Sequence, residues 1–333
     1  MAEFIDQYEA LRTGVGWRDR SAQAKIEMNG DDRARFLNGM LTNDVKSLAP
    51  GQGCYAAMLS VQGKVLFDVS VLVLEDRFLL ETGPELKTRL LDSLNKYIIM
   101  DQVEMRDVSD ERAILTLVGP ASTRLLTQLL GQQAPALGPL EHRAVSIAGK
   151  SIRIVRNDYT GTRGWDVWMA AADRGDIEDL LMRSGAALGL QKIEAEVWNL
   201  ARIEAGRPLY GTDMDENFIA LEAGLEDFIS MTKGCYIGQE VVVRILHMGH
   251  VNRKLVGLRL GEAIDAAGRP RLYDGAKKVG FVTSAGESPI LGGAIGLGYV
   301  RREASAPGTT LSVNLGERQV GASVAALPFF KSA

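Results

Sequence analysis

The sequence predicts an α+β fold followed by a small all-β barrel, and three observations predict it. Up to about residue 250, β-branched or apolar runs alternate with segments that carry apolar residues at helical spacing. After Asn252 the texture changes to short strands punctuated by irregularly spaced glycines, among them Gly257, Gly261, Gly268, Gly275 and Gly280, as tight barrel turns require. A chain of 333 residues, 46% hydrophobic and 24% charged, has enough apolar surface for two or three cores.

The elements follow in order. Ala24 to Met28 alternates as a strand, and Gly30-Asp31-Asp32 opens a helix through Phe36, Leu37, Met40 and Leu41. Tyr55 to Leu59, Val65 to Leu74 and Phe78 to Glu81 read as a meander separated by Gly63 and Glu75-Asp76. A helix is expected from Pro84 to about Ile98, strands over Val103 to Val108 and Ala113 to Val118, and a helix over Ala121 to Leu130. Ala144 to Arg156 reads as a hairpin turning at Gly149-Lys150. Trp165 to Met169 is a further strand, followed by a helix that ends near Gly189. The clearest helix carries Ile193, Val197, Leu200 and Ile203 in one stripe and stops at Gly206 and Pro208. On this pattern the domain boundary falls near residue 250, dividing the chain into 1–250 and 251–333.

Composition narrows the functions. A net charge of -4 with dispersed Lys and Arg gives no broad footprint for nucleic acid, so direct binding of RNA or DNA is disfavoured; a local patch would have to use Arg253, Lys254, Arg259, Arg301 and Arg302. The first residues carry Glu3, Asp6 and Glu9 and no signal-like apolar run, and the longest apolar stretches are strand-sized, so a cytoplasmic, membrane-free monomer is expected. Cys54 and Cys235 are too few for a disulfide scaffold. Asp213, Asp215 and Asn217 open like a calcium loop, but Phe218 and Gly224 stand where glycine and glutamate are required. His247 and His250 lack the further ligands of a closed zinc site.

The most unusual segment is Lys233-Gly234-Cys235-Tyr236-Ile237-Gly238-Gln239-Glu240. A lysine beside a thiol favours the thiolate, and flanking glycines admit a ligand close to the backbone. A small buried cysteine at a helix start would give the same letters. This octapeptide resembles the signature of the YgfZ family of folate-binding proteins, relatives of the glycine-cleavage aminomethyltransferase (T-protein). The resemblance extends through Phe36-Leu37-Asn38, Thr42-Asn43-Asp44-Val45, Asp158-Tyr159-Thr160-Gly161, Arg202-Ile203-Glu204-Ala205-Gly206, Leu221-Glu222-Ala223-Gly224-Leu225 and Pro328-Phe329.

The resemblance implies two intertwined α+β subdomains with antiparallel sheets, roughly 1–50 with 140–250 and 51–139, ahead of the barrel. It also implies tetrahydrofolate, or a one-carbon derivative of it, as cofactor in a central opening. Tyr55, Asp68, Asp166, Arg202 and Lys233 are then the folate-binding residues, with Asp166 on the pterin edge, Arg202 toward the glutamate tail or the pterin edge, and Lys233 toward the tail. Cys235, Asp68 and Lys233 are the catalytic candidates. Asp68 also stands out by itself, because a carboxylate inside the apolar run Val65 to Val69 must face a cavity or a hydrogen-bond donor. The aminomethyltransferases carry two adjacent acids where this chain has Phe67-Asp68. With the thiol-bearing octapeptide, that departure favours an accessory protein for iron-sulfur cluster assembly or repair in client enzymes, including tRNA-modifying ones. Aminomethyl transfer within the glycine cleavage system and a non-catalytic folate-binding module are the alternatives.

Overall fold

A computed structural model describes residues 2–330. In chain order the strands are β1 (Gly16–Asp19), β2 (Ala24–Asn29), β3 (Gly53–Leu59), β4 (Val65–Val73), β5 (Phe78–Thr82), β6 (Glu104–Asp107), β7 (Arg112–Val118), β8 (His142–Ile147), β9 (Lys150–Asn157), β10 (Gly164–Ala170) and β11 (Gln191–Lys192). The helices among and after them are α1 (Ala2–Thr13), α2 (Arg33–Met40), α3 (Lys87–Asn95), α4 (Ser122–Leu130), α5 (Arg174–Gly185), α6 (Ala195–Glu204) and α7 (Gln239–Met248). The remaining strands, β12 (Arg253–Leu260), β13 (Arg271–Asp274), β14 (Lys277–Ser288), β15 (Gly293–Arg301), β16 (Thr310–Asn314) and β17 (Gln319–Ala325), close into a barrel in the order β12-β15-β14-β13-β16-β17. None of the described helices is long and apolar enough to cross a membrane.

Two sheets make the rest. One runs β11-β1-β7-β10-β9-β8, antiparallel except for the β1-β11 pair, and the other runs β3-β4-β5-β2-β6. This divides the chain differently from the split of 1–50 with 140–250 against 51–139. Strand β2 belongs with 53–107, because its register on β5 sets Ile26 and Met28 into the core of that sheet. Strand β7 belongs with 142–192, because pairing Leu117 with Trp165 puts both into the other core.

Strand periodicity of two then organises the layers. On β4, Phe67, Val69, Val71 and Val73 pack into the core shared with α2 and α3, while Asp68, Ser70 and Leu72 have the opposite parity. On β10, Trp165, Val167 and Met169 join the core that includes residues of α4 and α5, and Asp166 and Trp168 take the other face. These second faces meet. Leu72, Leu79, Ile114, Val155 and Trp168 form a single apolar layer between the sheets. Beyond this layer the facing positions are polar, and a cavity opens on each side of it.

Helix α6 joins body and barrel. Its residues Leu200 to Glu204 are all buried, packed with α1 on one side and Ile295 and Leu297 of the barrel on the other. Glu204 accepts hydrogen bonds from Tyr8 Oη (2.6 Å) and Ser288 Oγ (2.5 Å) and pairs with Arg12, while its carbonyl accepts from the Phe329 amide (2.9 Å).

Candidate functional site

The larger cavity, about 270 Å³, opens between the two sheets at the end where β4, β5, β9 and β10 carry polar residues. Its floor is an ion-pair cluster. Arg20 donates to Asp166 Oδ2 (3.1 Å) and pairs with Glu81. Asp166 also accepts from Thr116 Oγ1 on Oδ1 (2.5 Å) and from Asn157 Nδ2 on Oδ2 (2.7 Å). Burial opposes the charge on Arg20, but Glu81 and Asp166 outweigh it and raise the guanidinium above its ordinary pKa. Burial pushes Glu81 up to about 7 against the pull of Arg20, and the neighbouring Asp166 adds to the rise.

A carboxylate offers roughly four acceptor positions, so Asp166 with three bonds has about one left. Glu81 has one oxygen engaged by Arg20 and the other open. Glu81 is therefore the better placed acceptor for a donor-bearing ring edge. Neither Glu81 nor Arg20 was a sequence candidate. Glu81 is the next-to-last residue of β5 and Arg20 directly follows β1, and only the facing of two sheets brings them together.

On an adjacent wall the Tyr55 hydroxyl donates to Asp68 Oδ2, leaving Oδ1 free. Burial raises the Asp68 pKa, and the bond from Tyr55 opposes that rise. Phe67 is fully buried in the core on the far side of the sheet, so the residue beside Asp68 points away from the cavity and its apolar character removes no acid from it. Aromatic rings give flat walls: Tyr55 meets Phe228 edge-on at 4.7 Å between centroids, and Tyr159 stacks on Trp198 at 5.9 Å. This combination of planar apolar walls and a few convergent polar groups suits a flat heterocyclic ligand.

Three of the sequence candidates thus share the cavity: Tyr55, Asp68 and Asp166. The other three do not line it. Arg202 is 1% exposed and pairs with Asp213, while also donating to Asn199 Oδ1 (2.9 Å), the Arg207 carbonyl (3.1 Å) and Ser284 Oγ (2.6 Å), so it cannot reach a ligand's tail. It is a structural cation between α6 and the barrel. The Lys233 ammonium donates to the carbonyls of Asn38 (2.5 Å), Leu41 (2.5 Å) and Asn43 (2.9 Å), which ties the octapeptide to the end of α2. Burial pushes Lys233 down to about 8, which still leaves it charged at neutral pH. Its three donors are spent, and the thiol it acts on is Cys54, which burial pushes up to about 12.

Cys235 is exposed, on the turn that leads into α7, and is neither a buried packing residue nor a cavity residue. Of the two flanking glycines, Gly234 has open space around it and Gly238 has a structural reason. Gly238 caps α7 at φ +83°, and a Cβ there would lie 2.5 Å from the Ser60 carbonyl. Arg253, first of the suggested basic patch, pairs with Glu222 (3.1 Å) and lies over the Phe218 ring at 4.6 Å.

Two facing sheets with an acid-lined cavity between them, completed by a closed barrel, define an α+β body whose interior has the shape and polarity for a small planar ligand. Residues 2–233 match the GCVT N-terminal domain, and residues 253–331 match the glycine cleavage T-protein C-terminal barrel domain. The chain belongs to the glycine cleavage T-protein family. It is 30% identical over 331 residues to the aminomethyltransferase of Halothermothrix orenii, covering 98% of this chain and 91% of that protein. It is 32% identical over 330 residues to that of Rubrobacter xylanophilus, covering 98% and 86%. The glycine cleavage system aminomethyltransferase T from Bartonella henselae has the same fold, with a TM-score of 0.89 at 24% identity over 98% of this chain and 90% of that one.

Proposed function

We propose that the chain binds tetrahydrofolate, or a one-carbon derivative, in the cavity between the sheets and acts there as a one-carbon transferase of the aminomethyl kind. The observation that carries this reading is the pairing of Asp68 with Tyr55 on a wall adjacent to the Arg20-Glu81-Asp166 cluster. A pterin offers an amino group and a ring N–H on one edge, and the open oxygen of Glu81 with the remaining acceptor position of Asp166 suits that donor pair. Folate supplies a nitrogen that carries the one-carbon unit. Asp68, with one oxygen held by Tyr55 and a raised pKa, can take or return a proton at the other. Tyr55, Phe228, Tyr159 and Trp198 give that exchange apolar walls. The identity of the curated relatives supports the aminomethyl reading over the accessory one, and the inward parity of Asp68 is compatible with it.

The test is an oxygen-free calorimetric titration of tetrahydrofolate into wild type and Asp166→Ala, followed by turnover with the aminomethyl-loaded lipoyl carrier protein of the glycine cleavage system. Saturable binding, weakened by about 1–3 kcal/mol in the variant, and turnover are expected. Absence of binding in wild type overturns the reading.

A second reading rests on Cys235. An exposed thiol on a lysine-anchored turn outside the cavity is accessible to a partner protein and does not line the folate cavity, which favours a role in iron-sulfur cluster assembly or repair of client enzymes. If that is its role, Cys235→Ala abolishes support of a client enzyme while folate binding is unchanged; full client activity in the variant removes the reading.

A further inference from the structure

The apolar layer of Leu72, Leu79, Ile114, Val155 and Trp168 has a second polar cavity on its other side, about 210 Å³, lined by residues of both sheets. The same strands supply both cavities at alternate positions. Strand β10 gives Asp166 to the first and Trp168 to the second, and β9 gives Asn157 to the first and Arg153 to the second.

The second cavity has the opposite charge character. Arg77, Arg112 and Arg153 line it together with a single carboxylate, Glu27. Glu27 is 2% exposed and accepts from Arg106 (2.9 Å), Arg112 (3.2 Å) and Arg77 (3.4 Å). Arg77 has a second partner in Asp76 (3.0 Å) and Arg106 in Glu111 (2.5 Å). Arg153 is different. Among the described residues no carboxylate lies within ion-pair distance of it, and its hydrogen-bond partner is the imidazole of His142, Nη1 to Nδ1 at 2.8 Å. Burial and the Arg153 charge push His142 down to about 4, so the ring is neutral and gives Arg153 no counter-charge. Trp168, 3% exposed, lines the same cavity, and its buried Nε1–H has no acceptor among the described residues. A half-buried guanidinium without a counter-ion and a buried donor without an acceptor both lack the same thing, an oxygen anion.

We propose that this second cavity binds an oxyanion, the phosphate or carboxylate group of a small ligand, with Arg153 as its counter-charge and Trp168 Nε1–H as its neutral donor. The apolar layer separates this site from the acidic cavity, so its occupant is independent of any ligand there. The rim at Ser151 is exposed and gives entry.

The test uses the full chain with inorganic phosphate or malonate, titrated at constant ionic strength against chloride and followed by calorimetry and tryptophan fluorescence. A saturable response is expected, and the anion that gives it identifies a phosphate or a carboxylate source. Arg153→Gln is expected to weaken binding at least about tenfold, and Trp168→Phe a few-fold. Ser151→Glu, which sets a carboxylate at the mouth without touching the core, is expected to abolish the response at an unchanged melting temperature, so the proposal stays testable if Arg153→Gln folds poorly. No saturable response to either anion in wild type overturns the proposal, as does full-strength binding in Ser151→Glu.

Discussion

The Tyr55 hydroxyl reaches diagonally across β3 and β4 to donate to Asp68, the one carboxylate in β4. The bond holds down a pKa that burial raises. Tyr55→Phe therefore lets Asp68 rise further. If Asp68 exchanges the proton, the acidic limb of the pH-rate profile moves to higher pH by roughly 0.5–1 unit, as loss of a hydrogen bond worth about 1 kcal/mol implies. An unmoved limb removes Asp68 from the proton exchange.

Glu81 titrates far above its usual range, with a pKa of about 7 in place of 4.5. The folded state thus favours the protonated acid. The stability this group contributes is present below about 4.5 and lost as the pH rises to about 7. Glu81→Gln should flatten that part of the dependence of melting temperature on pH, and a curve parallel to wild type would contradict the assignment.

Arg202 and Asp213 are both buried, at 1% and 0% exposure. Removing one partner strands the other, so Arg202→Met should cost roughly 3–5 kcal/mol in urea unfolding, with part of the loss recovered in the double variant with Asp213→Asn. Folate affinity measured below the unfolding transition should stay near that of wild type, because the guanidinium does not line the cavity.

Cys235→Ala should change stability by no more than about 0.5 kcal/mol, since the thiol is exposed. Lys233→Met, two residues away, should cost roughly 1–3 kcal/mol by leaving the carbonyls of Asn38, Leu41 and Asn43 without their donor. Chemical denaturation of the pair separates the exposed thiol of the octapeptide from its anchor.

Much of the strand and helix order was legible, because parity in β4 and the stripe in α6 are strong local signals. Helix α1 was not, since its buried face includes Gln7 beside Tyr8, Ala10 and Leu11 and so breaks the apolar pattern. The burial of Arg202 was illegible for a related reason. Periodicity assumes that one helix face meets water, whereas α6 is covered by α1 and by the barrel, and its polar side is buried too. Asp68 could be picked out because it interrupts an apolar run. Glu81 and Arg20 could not, because their closeness is made by two sheets whose facing no local pattern records.

The Glu204 contacts bear on how far the barrel can be exchanged among relatives. Tyr8 and Arg12 of α1 and Ser288 of the barrel converge on this one acid, and Thr283 and Ser284 hold Asp213 in the same way. A chimera that joins this body to a foreign barrel at residue 250 would leave two buried carboxylates short of donors unless hydroxyl residues at positions 283, 284 and 288 came with it. Family membership of both halves does not make them interchangeable parts; the hydroxyl-bearing strand β14 must be inherited together with α6.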